Sequence, residues 1–480
     1  MNTISVQYKL SKSQAELDFV NIDLDGDIPL YVDPYALTTR DDDWSVHCHN
    51  LVISFFQAVL NSVQSNNEKR GIQLLSHLNE PEETHLGVSL DGNKGRGIGV
   101  IQAKELFKAL KNSKAANTSL MEDLSDIALF IPGIGRDKIS DMTTNIIRRA
   151  LISYTQSQCD LHGVPTHNVS SGFFWDAETE IWRQEYVYLP VHKGKKFILV
   201  PKYTVRYQVG VDHAVYRSKF VLEFLQEDHL RADDSLVTVL KNKKGEVSKK
   251  VYKKTVNEHY PKNKDYLAEF SLAHPEVIEN YRKTLKEAAS KIPNINPDNF
   301  SEADLAKFLS QKLQSISSGA TAANDYHNVI IGIISFMLFP NLIYPKKETE
   351  INEGRKRIDI TYTNGKENGF FYRIALDQNI KANTVHVECK NYSNEIVNPE
   401  FDQLLGRFDH NRGKLGMLFY RASENPALVV ARCRDAAKSN LGFILPIDDK
   451  FVISVLEMIS NGNRGSIDKK IEDLYQSIIS

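Results

Sequence analysis

In the run TVHVECKNY, residues 384–392, a glutamate and a lysine, Glu388 and Lys390, stand among Val385, Val387 and Cys389. Side chains alternate along a strand, so the three apolar residues share one face and His386, Glu388 and Lys390 share the other. A carboxylate and an ammonium taken out of water are costly unless they are paired, hydrogen-bonded or bound to a metal. A second run, RKRIDITY, sets a lone Asp359 between Ile358 and Ile360. Pairing the two strands brings Asp359 beside Glu388, and carboxylates that close raise each other's pKa unless a divalent cation neutralises them. The pattern calls for a sheet with an ionic cluster on one of its faces.

Magnesium suits such a cluster. It favours carboxylate and carbonyl oxygens, takes one or two protein carboxylates and keeps positions for water and substrate phosphate. Asp359, Glu388 and the carbonyl of Cys389 would supply that shell. Lys390 beside it would orient or deprotonate an attacking water and offset charge gathering on the phosphorus centre. The surrounding pattern predicts a helix from about Asn324 to Phe339 and strands at YPKKETEI and KRIDITY. A loop or hairpin over TNGKENGFFYRIALDQNIKAN follows, then the strand TVHVECKNY, a helix around NPEFDQLLGRF and a strand KLGMLFYR. This α-β-β-β-α-β series buries itself as a sheet flanked by helices.

Asp359 followed by Glu388-Cys389-Lys390 in that order of elements resembles the PD-(D/E)XK nuclease superfamily, particularly its Mrr-like restriction endonucleases and archaeal-type Holliday-junction resolvases. The resemblance runs from the helix near Tyr326 to the strand ending at Arg421 and leaves the first 270 residues unaddressed. It implies Mg²⁺-dependent hydrolysis of phosphodiesters, mainly in DNA, with Mn²⁺ expected to substitute. It maps the catalytic aspartate to Asp359 and the E-x-K pair to Glu388 and Lys390, with Gln403 as an auxiliary on the following helix. Ile358 replaces the proline of the superfamily's name, and Arg407 replaces the tyrosine that related nucleases place four residues after the glutamine. His327 stands where Mrr-like members often carry a glutamate; it is read either as a ligand or proton carrier or as a capping or core histidine. Arg355, Lys356 and Arg357, and Arg407, Arg412 and Lys414, are candidate phosphate contacts, although a solvated surface explains each singly.

A chain of 480 residues is long enough for more than one domain. The formal net charge of -2 excludes a uniformly basic nucleic-acid binder, so phosphate contacts must come from local clusters. One such cluster is KNKKGEVSKKVYKKTVNEHYPKNK, residues 241–264, read as a solvated segment or as a phosphate-contacting strip using Lys249, Lys250 and Lys253 with Tyr252 and Tyr260 for stacking. Four dispersed cysteines without a CxxC pair argue against a zinc ribbon and a disulfide scaffold and fit a reducing cytoplasm. The start of the chain lacks a signal-peptide pattern. The apolar run Val329–Phe339 is far shorter than the roughly 20 residues a membrane span needs. It is expected to be a buried helix.

Other motifs carry less. DLDGD, residues 23–27, lacks the glycine and glutamate positions of a calcium loop and reads as an acidic turn. GNKGRGIG, residues 92–99, lacks both the dinucleotide and the Walker spacing. HCHN, residues 47–50, has no partner cysteines for zinc. Asp137 and Asp141 read as a second polar site or, more simply, as part of a helix cap with Ser140. EYVYLPV, KFILVP and YTVRYQVG predict a small sheet between about 185 and 210.

The expected fold class is mixed α/β: a restriction-endonuclease-like C-terminal core with a central mixed sheet flanked by helices, and a larger α+β N-terminal region. The expected boundaries are 1–270 for substrate selection, sensing or oligomerisation, 271–319 as a connector of exposed amphipathic helices, and 320–480 for the nuclease domain. The expected function is a cytoplasmic, Mg²⁺-dependent DNA endonuclease in anti-phage or foreign-DNA defence, with DNA, a second copy or a defence-system protein as partner and no membrane. The alternatives are a nucleic-acid-binding or scaffold protein with a non-catalytic nuclease fold, and a nuclease acting on RNA or branched DNA.

Overall fold

A helix apolar on every side has to be covered on every side. Ala323–Leu338 (α1) is such a helix: Val329, Ile330, Ile331, Ile333, Ile334, Phe336, Met337 and Leu338 are all buried. One side meets a sheet, where the Tyr362 hydroxyl donates to the Ile331 carbonyl at 3.3 Å. The N-terminal segment covers Gly332, where an added Cβ would sit 2.8 Å from Glu16 Oε1 and 2.9 Å from Lys12 Nζ. That close approach lets Lys12 donate to the Asn328 carbonyl. The computed structural model describes residues 2–87, 100–118, 120–241, 246–293, 295, 301–347, 360–392, 396–421 and 423–480. Asp359, Arg355, Lys356, Arg357 and the GNKGRGIG run lie outside the described residues.

The sheet has five strands in sequence order: Leu342–Lys347 (β1), Ile360–Asn364 (β2), Thr384–Lys390 (β3), Leu415–Tyr420 (β4) and Phe443–Asp448 (β5). β1, β2 and β3 pair antiparallel, whereas β4 runs parallel to β3 and β5 parallel to β4. β3 is therefore the central strand. It is buried along almost its whole length, as is β4, because helices cover both faces. The parallel crossovers contain Asn398–Leu405 (α2) between β3 and β4, and Pro426–Lys438 (α3) between β4 and β5. Asp449–Ser460 (α4) and Ile467–Ile479 (α5) complete the domain, with Val452, Val455, Leu456, Ile459, Ile467, Ile471 and Ile478 in its core.

A second core fills the N-terminal region. It is built on the long helix Asp43–Gln64, on Arg148–His162 and on Pro275–Ala289, and it takes in Ile343 and Tyr344 from β1. A β-bulge between Ile343 and Lys346 re-aims that edge strand. Tyr344 then packs among Trp44, Tyr154 and Tyr203, with ring centroids 5.3, 5.5 and 5.6 Å away. Polar ties cross the same seam: Gln158 donates to the Pro345 carbonyl at 2.9 Å, and buried Arg40 pairs with Asp42 and Glu367 and donates to the Gly365 carbonyl.

Four sequence expectations need correction. The run from Tyr186 to Arg206 makes no single sheet. Tyr186–Leu189 pairs with His167–Ser170, Val191–His192 with Lys195–Lys196, and Val205–Arg206 with the distant Tyr31–Val32. The segment read as a loop or hairpin before β3 contains the helix Gly369–Leu376, whose Phe370, Phe371, Ile374 and Ala375 are buried. The helices read as an exposed connector are buried in different cores: Val277, Ile278, Tyr281 and Leu285 join the N-terminal core, and Leu305, Ala306, Leu309 and Leu313 of Glu302–Ser315 join the sheet domain. Ser301 caps the latter helix, its hydroxyl accepting from the Asp304 amide at 3.1 Å. Ser140 and Asp141, read as a cap, lie inside the helix Arg136–Ile146, which starts one residue after Gly135.

Among the described residues no helix is long and apolar enough to cross a membrane. All four cysteines are free and buried.

Candidate functional site

Register decides which residues meet at the centre of the sheet. Tyr362 pairs with Val385 and touches α1, so Val385, Val387 and Cys389 face α1. His386, Glu388 and Lys390 face the opposite layer, which contains α2. Gly416 permits α2 to come this close: a Cβ there would lie 2.8 Å from Leu404 Cδ2 and 2.9 Å from Phe408 Cζ.

Beneath α2, Glu388 is 2% and Lys390 4% exposed. The two form an ion pair through Glu388 Oε1. The other carboxylate oxygen, Oε2, takes Arg407 Nη1 at 3.2 Å. Lys390 also donates to Gln403 Oε1 at 3.3 Å and lies 5.8 Å from the Tyr392 ring centroid. The cost of burying the carboxylate is thus offset by two cations, and the cost of burying the ammonium by a carboxylate and an amide. Gln403 and Arg407, four residues apart, come from α2 and the turn directly after it.

From the other face His327, in the first turns of α1, directs Nε2 at the Cys389 carbonyl, 3.1 Å away. A carbonyl only accepts, so this nitrogen carries the proton, and one of the oxygen's two lone pairs is taken. The Cys389 thiol is pushed well above its ordinary pKa, first by burial and then by the Glu388 charge.

Residues that sequence reasoning did not single out fix the end of β3. Asn391 donates through Nδ2 to the Ser317 and Gly319 carbonyls at 3.0 and 2.9 Å, and its own carbonyl accepts from the Gly319 amide. Arg421, at the matching end of β4, donates to the Leu313 and Ile316 carbonyls and pairs with Asp449 at 3.2 Å. Tyr326 donates to the same carboxylate at 3.0 Å, and burial raises Asp449 to about 6. The only sequence signal for Asn391 was its place directly after the E-x-K strand.

The remaining candidates lie apart from this cluster. Arg412 sits at the opposite end of β3, its carbonyl accepting from the Thr384 amide at 3.0 Å. Four residues at about 3.3 Å each separate Thr384 from Glu388, about 13 Å along the strand. Arg412 is therefore not a phosphate contact beside Glu388. Arg407 is a partner of Glu388 rather than a surface cation. Lys249 and Lys250 lie on an exposed two-stranded ribbon, Thr238–Lys241 with Val247–Lys250, in the N-terminal region. Lys249 pairs with Asp233, Lys253 with Glu223 at 2.9 Å, and Lys250 lies 5.1 Å from the Tyr252 ring centroid.

Among the described residues no group of three or more His, Cys, Asp or Glu is arranged to hold a metal ion. Among the described residues the cluster offers the Glu388 carboxylate, the Cys389 carbonyl and Gln403 Oε1 as hard oxygen donors, which match magnesium in kind.

A family model described as a domain of unknown function (DUF8370) matches residues 9–212, less than half of the chain and wholly before the five-stranded sheet. No curated protein and no solved structure matches the chain.

Proposed function

We propose that the sheet domain is a metal-dependent nuclease of the PD-(D/E)XK type that hydrolyses phosphodiester bonds in DNA. The observation that carries the proposal is the buried Glu388–Lys390 pair on one face of the central strand, under a helix that supplies Gln403. The mixed sheet is compatible with it: three antiparallel strands after an apolar helix, with the helix Gly369–Leu376 between the second and third, then a helix and a parallel strand. Asp359, directly before β2 in the sequence, enters the proposal as the second carboxylate on sequence grounds alone.

In this reading Glu388, the Cys389 carbonyl and Asp359 would hold magnesium, which would supply Lewis-acid activation of the phosphate. Lys390 would offset the negative charge gathering on the phosphorus centre and orient the attacking water by donating to its oxygen, with the water's proton passing to a phosphate oxygen or to solvent. Gln403 fixes the ammonium, and His327 fixes the strand end through the Cys389 carbonyl. Arg407 balances Glu388 and keeps its carboxylate in one rotamer. By resemblance to restriction-type enzymes, the proposed role is defence against foreign DNA. Cutting both strands would call for two copies.

A second reading has its own observation. Both oxygens of Glu388 already meet cations of the chain, so the carboxylate is paired without a metal and suits a scaffold that has kept the fold without turnover. Incubating supercoiled plasmid with the full chain separates the two. The nuclease reading expects nicking or linearisation with Mg²⁺ or Mn²⁺, none in chelator, and loss of at least about 100-fold in Lys390→Ala and Asp359→Ala, in line with removal of an electrostatic catalytic group. Cleavage that survives chelator, or that Lys390→Ala leaves intact, excludes the mechanism. Parallel assays on single strands, junctions and RNA assign the substrate.

A further inference from the structure

The seam between the two units contains a polar cleft of about 340 Å³, within the range of small-molecule sites. The N-terminal region contributes Trp44 and Tyr154, and the sheet domain contributes Tyr344, Lys346, Asn383, Asn411 and Arg412. Two features of Tyr344 stand out. Its backbone is left-handed, with φ of +50°, a conformation that is an outlier for a bulky residue and that clusters at ligand sites. Its hydroxyl is buried and has no hydrogen-bond partner in the protein, although the ring itself is packed on three sides by Trp44, Tyr154 and Tyr203. That hydroxyl is closed off from solvent, so Tyr344 braces the wall of the cleft and its hydroxyl is out of a guest's reach.

The chemistry of the walls selects the guest. Half-buried Trp44 offers an apolar face of the kind on which a planar ring stacks. Asn383 and Asn411 each present a donor and an acceptor, the combination that reads the edge of a base. Arg412 and Lys346 carry positive charge. The Arg412–Asp409 pair, at 3.4 Å, is half exposed and weak enough to exchange for a phosphate. Asp43, an exposed carboxylate on the same lining, can accept only from a donor such as a ribose hydroxyl. We propose that this interdomain cleft binds a nucleotide, with its base between Trp44 and the two asparagines and its phosphate at Arg412 and Lys346.

Both units line the cleft, so occupancy ties them together and stabilises the whole chain. The proposal does not rest on the cleavage reading, and its readout is binding. The full-length protein is titrated with AMP, GMP, CMP and UMP by calorimetry and thermal melting, with adenosine, inorganic phosphate and a short oligodeoxynucleotide alongside. At least one mononucleotide is expected to bind and to raise the melting temperature by about 2 °C or more at saturation. Adenosine and phosphate alone are expected to bind at least about tenfold more weakly than that nucleotide, since each satisfies one half of the site. Arg412→Glu and Lys346→Glu are each expected to weaken the nucleotide by at least about tenfold while leaving the fold intact by circular dichroism. Absence of binding by all four mononucleotides overturns the proposal. So does affinity unchanged in both variants, or binding confined to the oligodeoxynucleotide.

Discussion

Arg407 shows how a residue can be conspicuous in a sequence and still be misread. A basic side chain after a catalytic-looking strand suggests a phosphate contact, yet its side chain is only 10% exposed and one guanidinium nitrogen meets Glu388 Oε2. Nothing in the spacing announces this, because the pair joins a strand to the turn beyond a helix, 19 residues apart. Glu388 and Lys390 were legible, since alternation alone puts them on one face. Removing Arg407 strips Glu388 of one of two cations, so Arg407→Ala is expected to cost about 1–3 kcal/mol. Arg407→Lys is expected to recover part of that loss, and urea denaturation of the three proteins measures both. A variant as stable as the parent would show that Lys390 alone suffices.

Asp141 gives a pH-dependent test at the same scale. Burial, then the charges of Glu80 and Asp137, raise its carboxyl to about 7. The folded chain therefore binds this proton more tightly than the unfolded chain, whose aspartates titrate near 3.9. The stabilisation is complete below that lower value and is lost as pH rises to about 7. Asp141→Asn has no charge to bury. It is expected to be more stable relative to the parent at pH 8 than at pH 4 by roughly 1–2 kcal/mol, after allowance for partial solvent screening. Denaturation curves showing the same difference at both pH values would contradict the assignment.

Elements were legible where their pattern was long and their partners close. The apolar run at Val329 predicts the α1 helix, and alternating residues mark β2 and β3, although the helix Gly369–Leu376 lies between those two strands. The short strands near Tyr186 failed because a two-residue strand is defined by its partner, and Val205–Arg206 finds one at Tyr31–Val32. FFYRIAL was read from its Gly- and Asn-rich flanks, although apolar residues at 370, 371, 374 and 375 carry helical spacing. The connector helices show the same periodicity and were read as exposed, although each buries its apolar face in a different core. Gly416 ties two elements together and makes a direct test. A methyl group there meets Leu404 and Phe408, so Gly416→Ala is expected to push α2 outward at a cost of about 1–3 kcal/mol. Because Gln403 rides on that helix, any plasmid cleavage by the parent should fall with it, whereas Gly462→Ala, at an open position, serves as a backbone-strain control.

At the scale of the whole molecule, the decisive feature is that the N-terminal core reaches into the edge of the sheet, and a single arginine anchors that junction. Arg40 is 2% exposed at its side chain and faces Asp42 from its own unit and Glu367 from the other. It also donates to the Gly365 carbonyl at 3.2 Å and stacks 4.7 Å from the Tyr203 ring centroid. Burial, the larger effect, pushes the Glu367 carboxyl up while Arg40 pulls it back down. Truncating one partner of a buried pair leaves the other uncompensated, at about 3–5 kcal/mol, whereas removing both forfeits less. Arg40→Ala is thus expected to destabilise the chain more than the Arg40→Ala, Glu367→Gln double variant does relative to Glu367→Gln alone. The resulting cycle should show a coupling of about 1–3 kcal/mol. Because the contacts to Glu367 and Gly365 that are lost cross the junction, calorimetry of Arg40→Ala should show the two units melting further apart in temperature than in the parent. A coupling near zero, or an unchanged separation of the transitions, would place the hold between the units in the aromatic cluster around Tyr344 instead.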